Sequence, residues 1–226
     1  FWNLTVVQPL EKVEARLGLS PGMGAIYLAG ARQLLFAARE QRVRPGRDEK
    51  ILVSWNALMI EGMARAARVF GVPTWLDSAR RALEFVQSHM WNAETGRLVA
   101  THKDGRSHLN AYLDDYALLL RALLEMLQCE FHPGDLRFAR ALADTLLAQF
   151  EDTDHGGFYF TSHDHERLIQ RPKPGADNAM PSGNGTAAWS LQRLAHITGD
   201  ARYDTAAQRA LQHFQVAMRK FPGSHA

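Results

Sequence analysis

Three stretches of this chain repeat one another at nearly fixed spacing, and that repeat limits the folds open to it. Ser54-Trp55-Asn56, Asp114-Asp115-Tyr116 and Ser182-Gly183-Asn184 stand 60 and then 68 residues apart. Each triplet opens with a residue whose side-chain oxygen can cap a helix, and each leads into a mostly apolar run. In the first two runs the polar residues fall on one stripe, Glu61, Arg65 and Arg68, then Arg121, Glu125 and Gln128; Arg193 and His196 continue it in the third. So narrow a stripe means helices buried around most of their circumference. An amphipathic helix follows each of them. Trp75, Ala79, Ala82, Leu83 and Val86 form the first apolar face; Leu136, Ala139, Leu142, Leu146 and Phe150 the second; Tyr203, Ala207, Ala210, Leu211 and Phe214 the third. Repeats of this length signify stacked supersecondary units.

The pattern predicts inner helices over residues 54–70, 114–128 and 182–198, and outer helices over 74–90, 134–150 and 200–220. Alternation of wholly and half-buried helices makes two concentric layers, an all-α fold of the α/α toroid type. A linear solenoid is the alternative, but its helices would differ less in burial. Three pairs form part of a ring, so apolar flanks should stay exposed and favour self-association. The repeat divides one helical domain, 1–226, into a lead-in segment and helix, 1–44, and units 45–104, 105–172 and 173–226. The lead-in carries helices over 9–18 and 24–43. Two glycine-led segments, GRLVATHKDG and GGFYFTSHDHERLIQR, read as short β-hairpins on the connections. Residues 171–181 hold three prolines and one glycine and cannot be regular.

A net charge of +2 over 226 residues gives no nucleic-acid footprint. No apolar run reaches membrane-spanning length and no signal peptide is visible, so a cytoplasmic protein without membrane contact is the default. Cys129, the single cysteine, lies in an apolar helix and reads as a buried free thiol. The histidine tract at 163–165 reads as a solvated tip; neither metal nor cofactor is expected. Phe1 stands where an initiating methionine is expected, so the chain reads as a piece of a longer one.

RPGRDEKILVSWNALMIEGMARAARVFG, AYLDDYALLLRALLEM, GGFYFTS, LIQRPKPGADNAMPSGN and AAWSLQRLA occur in this order. Together they resemble the six-hairpin domain of the thioredoxin-domain-containing family, which includes the spermatogenesis-associated thioredoxin-like proteins. The resemblance covers about residues 10–222. Ala57 and Gly185 stand where glycine and serine are expected, and Glu49 where aspartate is usual. It implies a thioredoxin-like domain as a working partner in the full-length family. It also implies a likeness to six-hairpin glycosidases and N-acylglucosamine epimerases, hence carbohydrate chemistry.

If the inner helices share one face at their N-termini, the groups gathered there are Asp48, Glu49, Lys50, Trp55 and Asn56; His108, Asp114, Asp115 and Tyr116; and Arg171, Lys173, Asp177, Ser182 and Asn184. Such a set suits a sugar-like small molecule, with Trp55 as a flat apolar platform. Asp114 and Ser182 read first as helix caps, and Arg171 and Lys173 could lock the loop on Asp177. Asp115 has the better claim to chemistry, with an ionised carboxylate favoured by the helix dipoles unless burial outweighs them. Hydrolysis would draw two carboxylates from Asp48, Asp115 and Asp177. Epimerisation would use His108 as base. A non-catalytic helical scaffold is the reading from another class.

Overall fold

The computed structural model describes residues 5–166 and 168–225 and divides the chain into two compact units, Phe1–Asp48 and Glu49–Ala226. The first unit is a helical hairpin, α1 (Leu10–Leu17) and α2 (Met23–Glu40). Its two helices are joined through Glu14, whose buried carboxylate accepts from the N–H of Gly24 at 2.7 Å and of Gly22 at 3.3 Å. The apolar residues of α2, among them Ile26, Leu34, Leu35 and Phe36, are exposed.

The second unit carries the repeat. Its helices are α3 (Val53–Phe70), α4 (Pro73–His89), α5 (Leu113–Cys129), α6 (Pro133–Phe150), α7 (Gly183–Thr198) and α8 (Ala201–Lys220). Helix α5 packs between α3 and α7, and each of these three packs on its own outer helix. The core accordingly runs through α5, where Leu113, Tyr116, Leu119, Leu120 and Leu123 lose all solvent contact. The outer helices bury a single stripe each, such as Ala79, Leu83 and Val86 on α4. Side chains also tie the outer layer together: Arg80 to Asp135 at 2.6 Å, and the Tyr203 hydroxyl to Asp144 at 2.9 Å. This is the expected arrangement of inner and outer helices. On α3 the residues spaced for the side away from the core, Trp55, Met59 and Val69, are exposed, as at the flank of an incomplete ring.

The connections differ from one another. Between α4 and α5 lies the expected hairpin, β3 (Arg97–Lys103) against β4 (Arg106–Asn110), flanked by β1 (Ile51–Leu52) and β2 (Trp91–Asn92), both antiparallel to β3. Asp104 and Gly105 make its turn with φ of 51° and 71°, the left-handed pair that a two-residue hairpin requires. The second expected hairpin does not form among the described residues: only the bridge Glu151–Phe158 is strand-like. Its backbone partners come from elsewhere. The Phe158 N–H and C=O both bond the Asn184 side-chain amide, at 2.7 and 2.9 Å, and the Phe160 N–H donates to the Pro172 carbonyl at 2.8 Å. An amide from α7 thus takes the place of a partner strand.

Candidate functional site at the inner-helix N-termini

The N-terminal ends of α3, α5 and α7 meet at two consecutive aspartates. Helix α5 begins at Leu113, so its cap is Tyr112, and Asp114 and Asp115 occupy its second and third positions. Asp115 is the carboxylate of a capping box: its Oδ2 accepts from the Tyr112 N–H at 3.0 Å. Its Oδ1 accepts from the Ser54 N–H at 3.0 Å, in the first turn of α3. One carboxylate therefore holds two helix starts. Burial pushes its pKa up, against the N–H groups of Tyr112 and Ser54, so the desolvation outweighs the favourable field.

Asp114 is not the helix cap. Its carboxylate lies against α7, so that a Cβ on Gly183 would collide with Oδ1 and crowd Leu113. Glycine is what lets α7 approach so closely. The Asp114 Oδ1 atom is buried without a partner of normal hydrogen-bond geometry. Burial first, and then the neighbouring Asp115, push the Asp114 carboxyl up to about 6, while the Gly183 N–H pulls the other way. Of the two aspartates, Asp115 is spent on backbone and Asp114 is poised to change protonation near neutral pH.

Around this pair, Ser182 caps α7, accepting from the Gly185 N–H at 3.0 Å, and Asp177 Oδ1 accepts from the Ser182 N–H at 2.8 Å. Ser54 is not a cap, since α3 starts one residue earlier with Leu52 in the cap position. Trp55 stays exposed, and the Asn56 amide donates to the Leu52 carbonyl at 2.8 Å. His108 lies on the exposed strand β4. Asp48 belongs to the first unit, whereas Glu49 and Lys50 open the second.

Four residues expected to meet a ligand are occupied with the fold instead. Tyr116 is wholly buried and its hydroxyl oxygen accepts from the Leu98 N–H at 2.8 Å. Asn184, also buried, adds a bond to the Pro174 carbonyl at 2.9 Å to its clasp on Phe158. Lys173 does not pair with Asp177 in the ion pairs seen; its ammonium sits 2.8 Å from Asp152 and holds that carboxylate well below its ordinary range. Arg171 donates to the Thr161 carbonyl and lies 4.2 Å from the Tyr159 ring centroid. Arg171 and Lys173 were readable as polar and loop-borne, but their partners Thr161 and Asp152 were not, because those lie in a segment without periodicity. Asp152, Asp154 and His155 bring ligand atoms within 4.8 Å of one another, a grouping the sequence pattern missed, but Lys173 already supplies the cation there. Cys129 is half-buried, donates to the Ala64 carbonyl at 3.3 Å, and has its pKa raised by burial.

The fold is a partial α/α toroid, a fold shared with several solved sugar-processing enzymes. The cellobiose 2-epimerase of Spirochaeta thermophila superposes with a TM-score of 0.60 at 20% identity, covering 75% of this chain and 45% of the epimerase. An α-1,6-mannanase of Salegentibacter sp. gives 0.58 at 14% identity, covering 72% and 46%; that structure is of a variant inactive through replacement of two consecutive aspartates by asparagine, with α-1,6-mannotriose bound. No protein-family model matches the chain. In sequence the chain is a homologue of spermatogenesis-associated protein 20: it is 32% identical to the human protein over 97% of its own length. It spans 29% of the length of that relative. No helix among the described residues is long and apolar enough to cross a membrane.

Proposed function

We propose that the aspartate end of α3, α5 and α7 binds a sugar and that Asp114 is the carboxyl that exchanges a proton with it. The observation that carries this reading is Asp114 itself: partly buried, without a partner of normal hydrogen-bond geometry at Oδ1 and brought to about 6, it can both give and take a proton near neutral pH. A raised carboxyl beside a second carboxylate is the pairing that glycoside hydrolysis uses, one group protonating the leaving oxygen while another assists water or the sugar carbon. Asp177, on the loop that reaches α7, is the second group on this proposal, and Trp55 is the exposed face on which a sugar ring stacks. Asp115 is a positioning residue that fixes both helix starts. The inactive mannanase variant supports a role for consecutive aspartates in this fold. The likeness to an epimerase keeps epimerisation, with His108 as base, as the other sugar chemistry.

A second reading, a non-catalytic scaffold that works with a thioredoxin-like domain, is favoured by the mutual ion pairs along the inner helices, where Glu61 and Glu125 are closed against arginines. Calorimetric titration with cellobiose and with α-1,6-mannotriose, followed by product analysis, separates the two. On the enzyme reading at least one sugar binds, Trp55→Ala weakens it, and Asp114→Asn retains binding but loses turnover. Failure of both sugars to bind leaves the scaffold.

A further inference from the structure

The polar stripe of the inner helices is more than a set of ion pairs. Arg65 reaches Glu61 at 3.1 Å and Glu125 at 3.2 Å; Arg68 reaches Glu125 at 2.7 Å and Arg121 reaches Glu61 at 2.9 Å. Arg121 then lies 5.1 Å from the ring centroid of Trp189, and Arg193 lies 4.5 Å from the same ring. These contacts form one continuous group across α3, α5 and α7. Four guanidiniums share it with two carboxylates, a surplus of two positive charges on a chain whose whole net charge is +2. Arg193 forms no ion pair among the described residues.

The distribution of exposure gives the group its polarity. The side chains of Glu61 and Glu125 keep only 9% and 2% of their accessibility, whereas Arg65 and Arg68 keep 49% and 46%. The carboxylates thus lie behind the arginines and fix the planes of their forks. Arg65 spends one terminal nitrogen on both glutamates, Arg68 one terminal nitrogen on Glu125, and Arg121 its Nε on Glu61. Burial pushes Glu125 up, but its bonds with Arg65 and Arg68 win and keep it ionised. The carboxylates hold the guanidiniums of Arg65, Arg68 and Arg121, leaving further N–H donors in the arrangement that carboxylates and phosphates bind. Pre-ordering of this kind removes part of the entropic cost of binding.

We infer that the seam of Arg65, Arg68, Arg121 and Arg193 around Trp189 is a binding site for a small-molecule oxyanion, a carboxylate or phosphate group. It is separate from the aspartate pair: seven residue steps of helix, about 10 Å, separate Asp114 from Arg121. The inference does not depend on the sugar reading. Arg193 is its key donor, and Glu61 and Glu125 are positioning residues.

Isothermal titration of the whole chain with inorganic phosphate, D-glucuronate and D-glucose, at ionic strength fixed with chloride, tests it. At least one of the two anions should bind while glucose gives no seam-dependent heat. Phosphate alone indicates a phosphorylated ligand, glucuronate alone a sugar acid. Arg193→Gln should weaken the anion about tenfold or more with an unchanged unfolding midpoint. Arg39→Gln, in the first unit, should leave it unaltered. Absence of anion binding beyond chloride overturns the inference. So does equal loss in the two variants, or binding confined to poly-L-glutamate, which would make the seam a docking surface for acidic protein.

Discussion

The two seams of α5 use the same residue type at adjacent positions to different ends. Toward α3, Asp115 gives both oxygens to backbone N–H groups, of Tyr112 and Ser54. Toward α7, Asp114 meets Gly183 and keeps one buried oxygen without a partner of normal hydrogen-bond geometry. Helix position decides the outcome. The third residue of a helix can reach back to the cap, so Asp115 is drawn into the capping box, while the second residue projects sideways to the neighbouring helix. Of two consecutive acids at a helix start, the one that satisfies backbone is structural, and the other keeps its carboxyl outside the capping box.

Substitutions at the two seams can break this contrast. The largest expected effect is at the start of α7, where Asn184→Ala removes three bonds and orphans the buried Phe158 N–H; it should cost about 3 kcal/mol in urea unfolding. Loss of less than about 1 kcal/mol would mean that water replaces the amide. At the α3 seam, Asp115→Asn keeps one acceptor oxygen but turns an amide NH2 toward a backbone N–H. A cost of about 2 kcal/mol should follow, so this variant is not the innocent isostere that its shape suggests.

At the α7 seam the sign should reverse. The folded pKa of Asp114 lies above its ordinary value, so its ionised form costs stability. That cost is absent below the ordinary carboxylate range and reaches full size as pH rises past about 6. Asp114→Asn should therefore stabilise the chain by about 1 to 2 kcal/mol at pH 7.5, allowing for partial exposure, and the gain should vanish near pH 4. Equal, pH-independent losses in both asparagine variants would erase the contrast. The smallest effect concerns Ser182→Ala, which removes the α7 cap and should cost about 1 kcal/mol at either pH.

Much of this architecture was legible because the repeat fixes it. The three inner helices begin within a residue or so of their expected starts, and the stripe residues pair across the repeat: Arg65 with Glu125 and Arg121 with Glu61 are each 60 positions apart. What periodicity could not supply were the partners inside aperiodic segments. The run GGFYFTS has the composition of a strand, yet Asn184 satisfies its backbone from 26 residues away. The capping role falls to Asp115 rather than to Asp114 for a similar reason. The pattern places the helix start within a residue or so, but the cap falls at Tyr112, two residues before the expected Asp114, which puts Asp114 at the second helical position and Asp115 in the capping box.

Titration of Asp114 itself tests the central claim most directly. Side-chain carboxyl carbon chemical shifts, assigned with the Asp114→Asn variant and followed by NMR from pH 3 to 9, should give Asp114 a midpoint of about 6. A midpoint at about 4, the ordinary value for an aspartate, would show a carboxylate as well solvated as any surface acid and would contradict its assignment as the proton-exchanging group.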